Sequence, residues 1–174
     1  MEFIDSTEPP TYLAKLNPHA RDERIVFDEG PHIYYIDGSS TGYMSVTTFN
    51  HAHFEKFDSD AIISGMMKSK KWPQSKYYGQ TADEIKAGWN KNCNEAAGAG
   101  TKMHYDIECY YNECPRDNDS TEYQYFKNFL AAYPKLKPYR TEWTVFHEEL
   151  KLAGSIDMIY KDEEGNLLIY DWKR

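Results

Sequence analysis

From Asn166 to Lys173 the chain alternates with a period of two. Leu167, Ile169, Asp171 and Lys173 fall on one face and Leu168, Tyr170 and Trp172 on the other, which predicts a strand running through Lys173. Lys151 to Tyr160 predicts a second strand, in which the small-residue stretch Ala153-Gly154-Ser155 leads into Ile156-Asp157. The polar segment Asp162 to Asn166 is a turn signal, so the two strands are expected to form an antiparallel hairpin. Tyr139 to Glu149 predicts the strand before them, with Glu142 on the face of Thr144 and Phe146 and with Glu148-Glu149 as its solvated end. Nearer the start, Arg24–Phe27 and His32–Ile36 flank Asp28-Glu29-Gly30-Pro31 and predict a small hairpin closed by Asp37-Gly38.

The rest of the pattern is helical. Ser45 or Thr47 is placed to cap a helix that carries Phe49, and Asp58-Ser59-Asp60 caps the next, which runs towards Lys68. Thr81-Ala82-Asp83-Glu84 has the form of a capping box for a helix through Trp89. Ala96 to Gly100 then marks either a break or a close helix packing, and from Thr101 the positions Met103, Ile107, Tyr110 and Tyr111 resume a helical period. Cys114-Pro115 ends that helix, Arg116 to Ser120 is a polar loop, and Glu122 to Tyr133 predicts a further helix with Tyr123, Phe126, Phe129 and Leu130 inward. Residues 1–22, with Pro9-Pro10 and Asn17-Pro18, are expected to be an irregular arm.

These elements predict one α/β domain over residues 1–174. Residues 23–97 supply the hairpin and helices of a mainly helical N-terminal half. Residues 98–174 supply a core with a small central mixed β-sheet flanked by helices.

Composition supports a folded chain: 40% of the 174 residues are hydrophobic and 16% aromatic. No apolar run approaches the ~20 residues of a membrane span and the N-terminus has no basic, then apolar, leader, so a soluble intracellular protein without a membrane partner is expected. Cys93, Cys109 and Cys114 form no C-x-x-C pair and are expected to be reduced thiols. The net charge of −8 argues against coating nucleic acid through overall charge, yet suits an enzyme that gathers carboxylates for a metal.

The chemistry concentrates in the last strands. Asp157 and Asp171, converging from adjacent strands, would make an oxygen site for Mg²⁺ or Mn²⁺, and Lys173 could orient the attacking water or offset charge on a phosphate. The same D-x-K could equally be an ion pair on a solvated strand face. His104 and Glu108 lie four apart on one helical face, and a lone helical histidine is more often packed or exposed than a ligand.

Taken in order, Gly100-Thr101-Lys102-Met103-His104, Glu108, Glu142, Gly154-Ser155-Ile156-Asp157 and Asp171-Trp172-Lys173 resemble the PD-(D/E)XK nucleases of the RecB-like and lambda-exonuclease-like branch, whose pattern runs G-x-x-x-H…E…G-x-(I/V)-D…(D/E)-x-K. Asp171 stands where that branch more often has Glu. The resemblance covers about the C-terminal half. It implies a restriction-endonuclease-like core, metal ligands at His104, Asp157, Asp171 and Trp172, and catalytic roles for Asp157, Asp171, Lys173, Glu108 and Glu142. Glu108 would act on its own or by orienting His104 or a metal-bound water. One or two Mg²⁺ or Mn²⁺ ions would serve the hydrolysis of DNA, single-stranded or with free ends, by an exonuclease or end-processing nuclease of repair, recombination or replication.

Two stretches offer contacts for such a substrate. Ser45-Val46-Thr47-Thr48 resembles the start of the helical part in some viral and mitochondrial relatives of the branch, where a hydroxyl-rich helix start could hold a phosphate, although capping alone explains Ser45 and Thr47. Lys68, Lys70, Lys71 and Lys76 are interleaved with Trp72, Tyr77 and Tyr78, the mixture used by single-strand channels and also by a solvated helix end.

No phosphate loop, H-E-x-x-H or G-x-S-x-G motif is present, so an NTPase, zinc protease or serine hydrolase has no support. The rival expectation is a nucleic-acid-binding or structural protein that keeps the nuclease fold without turnover. Because Arg174 follows Lys173 directly, a C-terminal extension or a protein partner is expected to cover the last strand. Otherwise Leu168, Tyr170 and Trp172 must be covered by the N-terminal helices or remain partly exposed.

Overall fold

The computed structural model of the chain describes residues 10–114, 116 and 118–174. The elements are α1 Tyr12–Leu16, β1 Ile25–Asp28, β2 Ile33–Ile36, β3 Met44–Ser45, α2 Val46–His51, α3 Ser59–Lys68, α4 Ala82–Tyr111, α5 Thr121–Ala132, β4 Lys137–His147, β5 Leu152–Lys161 and β6 Leu167–Tyr170. Short 3-10 turns lie at Asp22–Arg24 and Trp72–Gln74. The architecture is mixed α/β.

Strand β5 is the spine of the sheet. One edge pairs antiparallel with β4 from His147↔Leu152 to Lys137↔Lys161. The other edge is shared: β3 pairs parallel with Leu152 and Ala153 at one end, and β6 pairs antiparallel with Met158 to Lys161 at the other. Between them Gly154, Ser155, Ile156 and Asp157 have no strand partner on that edge, so the sheet is notched there. The parallel β3 makes the sheet mixed, and the alternation of the sequence did not reveal it, because two residues are too few to show a period.

One apolar cluster joins Met103, Ile107 and Tyr111 of α4, Tyr123 and Phe126 of α5, Leu13 of α1, and Met158 and Tyr160 of β5. Leu168, Tyr170 and Trp172 pack against it. Phe129 of α5 meets Trp172 edge-on at 5.2 Å and Tyr170 at 5.8 Å, so α5 covers these two rings, and all three side chains stay half-buried. A second cluster ties the separate β1–β2 hairpin, through Ile25, Tyr34 and Ile36, to Phe146 of β4 and Ala153 of β5.

Three sequence expectations need correction. Residues 10–22 of the expected arm include a helical turn, α1, whose Leu13 enters the core, while residues 1–9 lie outside the described ones. The break at Ala96–Gly100 does not occur: α4 is one helix of 30 residues, opened by a capping box at Thr81 and closed by Glu113 in the left-handed region (φ 63°) with Cys114 N–H donating to Cys109 O at 3.0 Å. Nor is there close packing, since nothing lies within 4 Å of a Cβ built at Gly98 or Gly100. The alanines around them hold the helix against a glycine cost of about 1 kcal/mol each. Pro115 of the expected helix stop is outside the described residues.

The third correction concerns the last strand, which ends at Tyr170 and not at Lys173. The N–H of Trp172 donates to Asp157 Oδ2 at 2.8 Å. A side-chain carboxylate thus takes a donor that a longer ladder would have used.

Gly98→Ala is expected to stabilise the protein by about 0.5–1 kcal/mol, because it removes the glycine cost of a helix interior without meeting a neighbour. Thermal unfolding of the variant beside the parent checks it.

Candidate metal centre

Three side chains meet at the notch. His104 comes from α4, Glu142 from β4 and Asp157 from β5, and one donor atom of each lies within 4.8 Å of the others. His104 Nδ1 is 3.3 Å from Glu142 Oε1 and 3.7 Å from Asp157 Oδ2. His104 Nε2 is 3.1 Å from the carbonyl oxygen of Trp172. Ser155 Oγ donates to the other oxygen of Glu142 at 3.3 Å.

Proton bookkeeping shows what this arrangement lacks. A carbonyl can only accept, so Nε2 must carry a hydrogen, and a neutral ring would then aim the lone pair of Nδ1 at two carboxylates. A proton, shared between the ring and a carboxyl, or a metal ion relieves that contact. The hydrogen bond to Glu142, opposed by burial and helped by the charge of Asp157, raises the His104 pKa above its ordinary 6.5. Burial raises Asp157, against the Trp172 N–H, and the charges of Glu142 and Asp171 push the same way. Burial, with Glu142 and Glu29 adding like charge, pushes half-buried Glu108, one turn beyond His104, up to about 7. The donor set of one imidazole nitrogen and two carboxylates fits Mg²⁺ or Mn²⁺, with the nitrogen favouring Mn²⁺.

The placement of Glu142 depends on a departure from strand geometry. The pairs Thr141↔Met158 and Trp143↔Ile156 bracket it, so it stands opposite Asp157 in the register. Its φ is +42°, a region that costs a non-glycine residue on the order of 1–3 kcal/mol. Arg140 and Trp143, on either side, would face opposite ways in an unbroken strand. Both reach Asp22: Arg140 Nη1 donates to Oδ2 and Trp143 Nε1 to Oδ1, each at 2.8 Å. Arg140 Nη1 also donates to Asn17 O at 2.9 Å. Burial alone would raise Asp22, but these bonds, with the N–H of His19, hold its carboxyl below the usual value. Asp22 therefore staples the two flanks of the turn that aims Glu142 at His104. Nothing in the sequence marks it, since Asp22 is 118 positions from Arg140.

The remaining predicted residues lie elsewhere. Asp171 and Lys173 form an exposed pair, Nζ to Oδ2 2.8 Å, which raises the lysine and leaves both outside the cluster. The face they continue carries Leu167 and Ile169, 50% and 70% exposed, so it looks to solvent. Ser45 caps α2, its Oγ accepting from Thr48 N at 3.0 Å and donating to Thr48 Oγ1 at 2.8 Å, and Thr47 is exposed within this six-residue helix. Lys68, Lys70, Lys71, Trp72, Lys76 and Tyr77 lie at the end of α3 and in the turns that follow it, and Tyr77 joins this segment to α4, its Oη accepting from Trp89 Nε1 at 2.8 Å.

Two outcomes follow from this geometry. Glu142→Gly should hold or raise the melting temperature, because glycine adopts the positive φ freely, while Mn²⁺ affinity measured by calorimetry falls about tenfold or more. Glu108 keeps a proton up to about pH 7 when folded but only to its ordinary 4.5 when unfolded. Folding stability from this group therefore falls as pH rises from about 4.5 through 7, and Glu108→Gln should be the more stable protein at pH 8 with little difference at pH 4 in denaturant titrations.

No family model matches this chain, and no curated protein or solved structure is significantly similar to it.

Proposed function

We propose that this protein is a divalent-metal-dependent deoxyribonuclease built on a PD-(D/E)XK-type core, hydrolysing phosphodiester bonds as an exonuclease or end-processing enzyme. The single observation that carries the reading is the convergence of His104, Glu142 and Asp157 on the notch of a mixed sheet, immediately beside Asp171-Trp172-Lys173. Two of the expected ligands, His104 and Asp157, meet there with Glu142, which the resemblance cast as a catalytic acid, while the expected ligand Asp171 stays outside the cluster.

His104 Nδ1, Glu142 and Asp157 would hold Mg²⁺ or Mn²⁺, with the carbonyl of Trp172, 3.1 Å from His104 Nε2, accepting the ring's other N–H and so orienting the imidazole. A bound divalent cation supplies Lewis-acid polarisation of the phosphate and a water of lowered pKa. The chain's own parts do the rest. Asp171 sits on the unladdered chain end just past β6 and can turn towards Asp157, whose pKa already registers its charge. That movement frees Lys173 from its pair so that the ammonium can offset charge developing on the phosphate. Glu108, protonated near neutrality, is a proton carrier one helical turn away.

The exposed Asp171–Lys173 pair is the one observation that favours the rival, a binding protein that keeps the fold without turnover. End-labelled linear and circular DNA incubated with Mg²⁺, Mn²⁺, Ca²⁺ or EDTA decides between them. Cleavage is expected with Mg²⁺ and Mn²⁺ and very little with Ca²⁺, whose looser geometry positions the groups poorly. Asp157→Asn, His104→Ala and Lys173→Ala should each lower cleavage by more than about a hundredfold while the melting curve stays cooperative. Near-normal turnover in Asp157→Asn would sink the assignment.

A further inference from the structure

Lys68 to Gln80 contains four lysines and no acid, within an acidic chain. Five of the fifteen lysines, Lys86, Lys91, Lys102, Lys135 and Lys173, reach a carboxylate. Among the described residues Lys68, Lys70, Lys71 and Lys76 reach none, and Lys76 meets Tyr77 instead, 4.9 Å from its ring centroid and beside its hydroxyl. The stretch is therefore a local positive field in a molecule of net charge −8.

Exposed rings stand among these lysines. Phe57 is 72% exposed with its centroid 5.9 Å from Trp89, and Tyr78 is 60% exposed and 5.9 Å from Trp72. Tyr77 meets Trp89 at 6.0 Å and fixes its indole N–H. Trp72 and Tyr78, and Tyr77 and Trp89, meet edge to face, Phe57 is tilted against Trp89, and Phe57 and Tyr78 keep most of their surface open. A duplex keeps its bases stacked inward and cannot use such surface, whereas unstacked bases can.

The helix α4 joins this surface to the metal centre. Trp89 and His104 are separated by about 22 Å along its axis and by about 60° around it, so they lie on neighbouring lines of one side. The positions between them on that side are Cys93, Ala96 and Gly100, and every residue from Asn90 to Gly98 is exposed. Nothing within 4 Å meets a Cβ built at Gly100. No bulky side chain on that line obstructs a strand laid along the helix.

We propose that the lysines and rings around Trp72, Tyr77 and Trp89 form a binding platform for a single-stranded polynucleotide, which then runs along α4 towards His104. The platform stands on its own observations, and the direction of the path rests on the nuclease reading.

Binding is measured in EDTA, where no hydrolysis occurs, by tryptophan quenching and anisotropy with dye-labelled dT15, rU15 and a 15-base-pair duplex. Single strands are expected to bind and to quench Trp72 and Trp89, with the tighter of dT15 and rU15 assigning the strand to DNA or RNA. Replacing Lys68, Lys70, Lys71 and Lys76 together by alanine should flatten the salt dependence by about 0.7 in slope for each phosphate that is no longer neutralised. Phe57→Ala, at a site that supports no core packing, should weaken binding about tenfold. Duplex binding as tight as single-strand binding and indifferent to Phe57→Ala, or a salt slope unchanged in the lysine variant, would overturn the platform. Metal-dependent cleavage by a protein that shows no such binding overturns this inference and leaves the nuclease reading standing. Single-strand binding without any metal-dependent cleavage does the reverse.

Discussion

The hydrogen bond from the Trp172 N–H to the Asp157 carboxylate sets the terms for the rest of the centre. A backbone donor that would extend the β6 ladder is spent on a side chain, so the strand stops and the chain turns out of the sheet. The same bond fixes one oxygen of Asp157, brings the Trp172 carbonyl to His104, and seats the Trp172 ring against Phe126 and Phe129. One donor thus links the electrostatics of the notch to the packing of α5.

Around that bond the charges do not balance by themselves. Glu142 and Asp157 face each other across β4 and β5, Glu108 stands a turn away, and His104 is the group between them able to carry positive charge. Burial first, and the crowding of carboxylates second, raise Asp157 and Glu108, while the bond to Glu142 raises His104. The protein keeps Glu142 in an unfavourable backbone region and stabilises it from outside through Asp22, Arg140 and Trp143. Strain held by a surrounding network at a cluster of unlike ionisable groups is the usual mark of a place with work to do.

Much of the frame was legible in the sequence because alternation and capping are local. The β5–β6 hairpin, the β1–β2 hairpin, the caps at Ser45, Asp58 and Thr81, and the helix carrying His104 all follow from neighbours within a few residues. What escaped was non-local or a matter of degree. Strand β3 is defined by its partner Leu152–Ala153 and by little of its own. The glycines of α4 looked like a stop because propensity penalises them, yet a long helix anchored at both ends absorbs that penalty. His104 and Asp157 stood out as ligands and Glu142 as an acid in an ordered set of residues, and these three converge. The outward turn of Asp171 and Lys173 was not legible, since it depends on a bond from Trp172 to a residue in another strand.

The middle of α4 has a mechanical consequence. From Asn90 to Gly98 the helix has no buried residue and is held by its own backbone hydrogen bonds and one exposed Lys91–Glu95 pair, in a stretch whose Ala and Gly content makes it neither strong nor broken. Its ends are anchored differently, by Ile85 beside α3 and by the aromatic core near Tyr111. Such a span opens and recloses without unfolding what lies at either end. The α3 end of α4 and its core end are therefore joined along the helix by a strut whose stiffness is a helix–coil equilibrium, set by temperature and solvent.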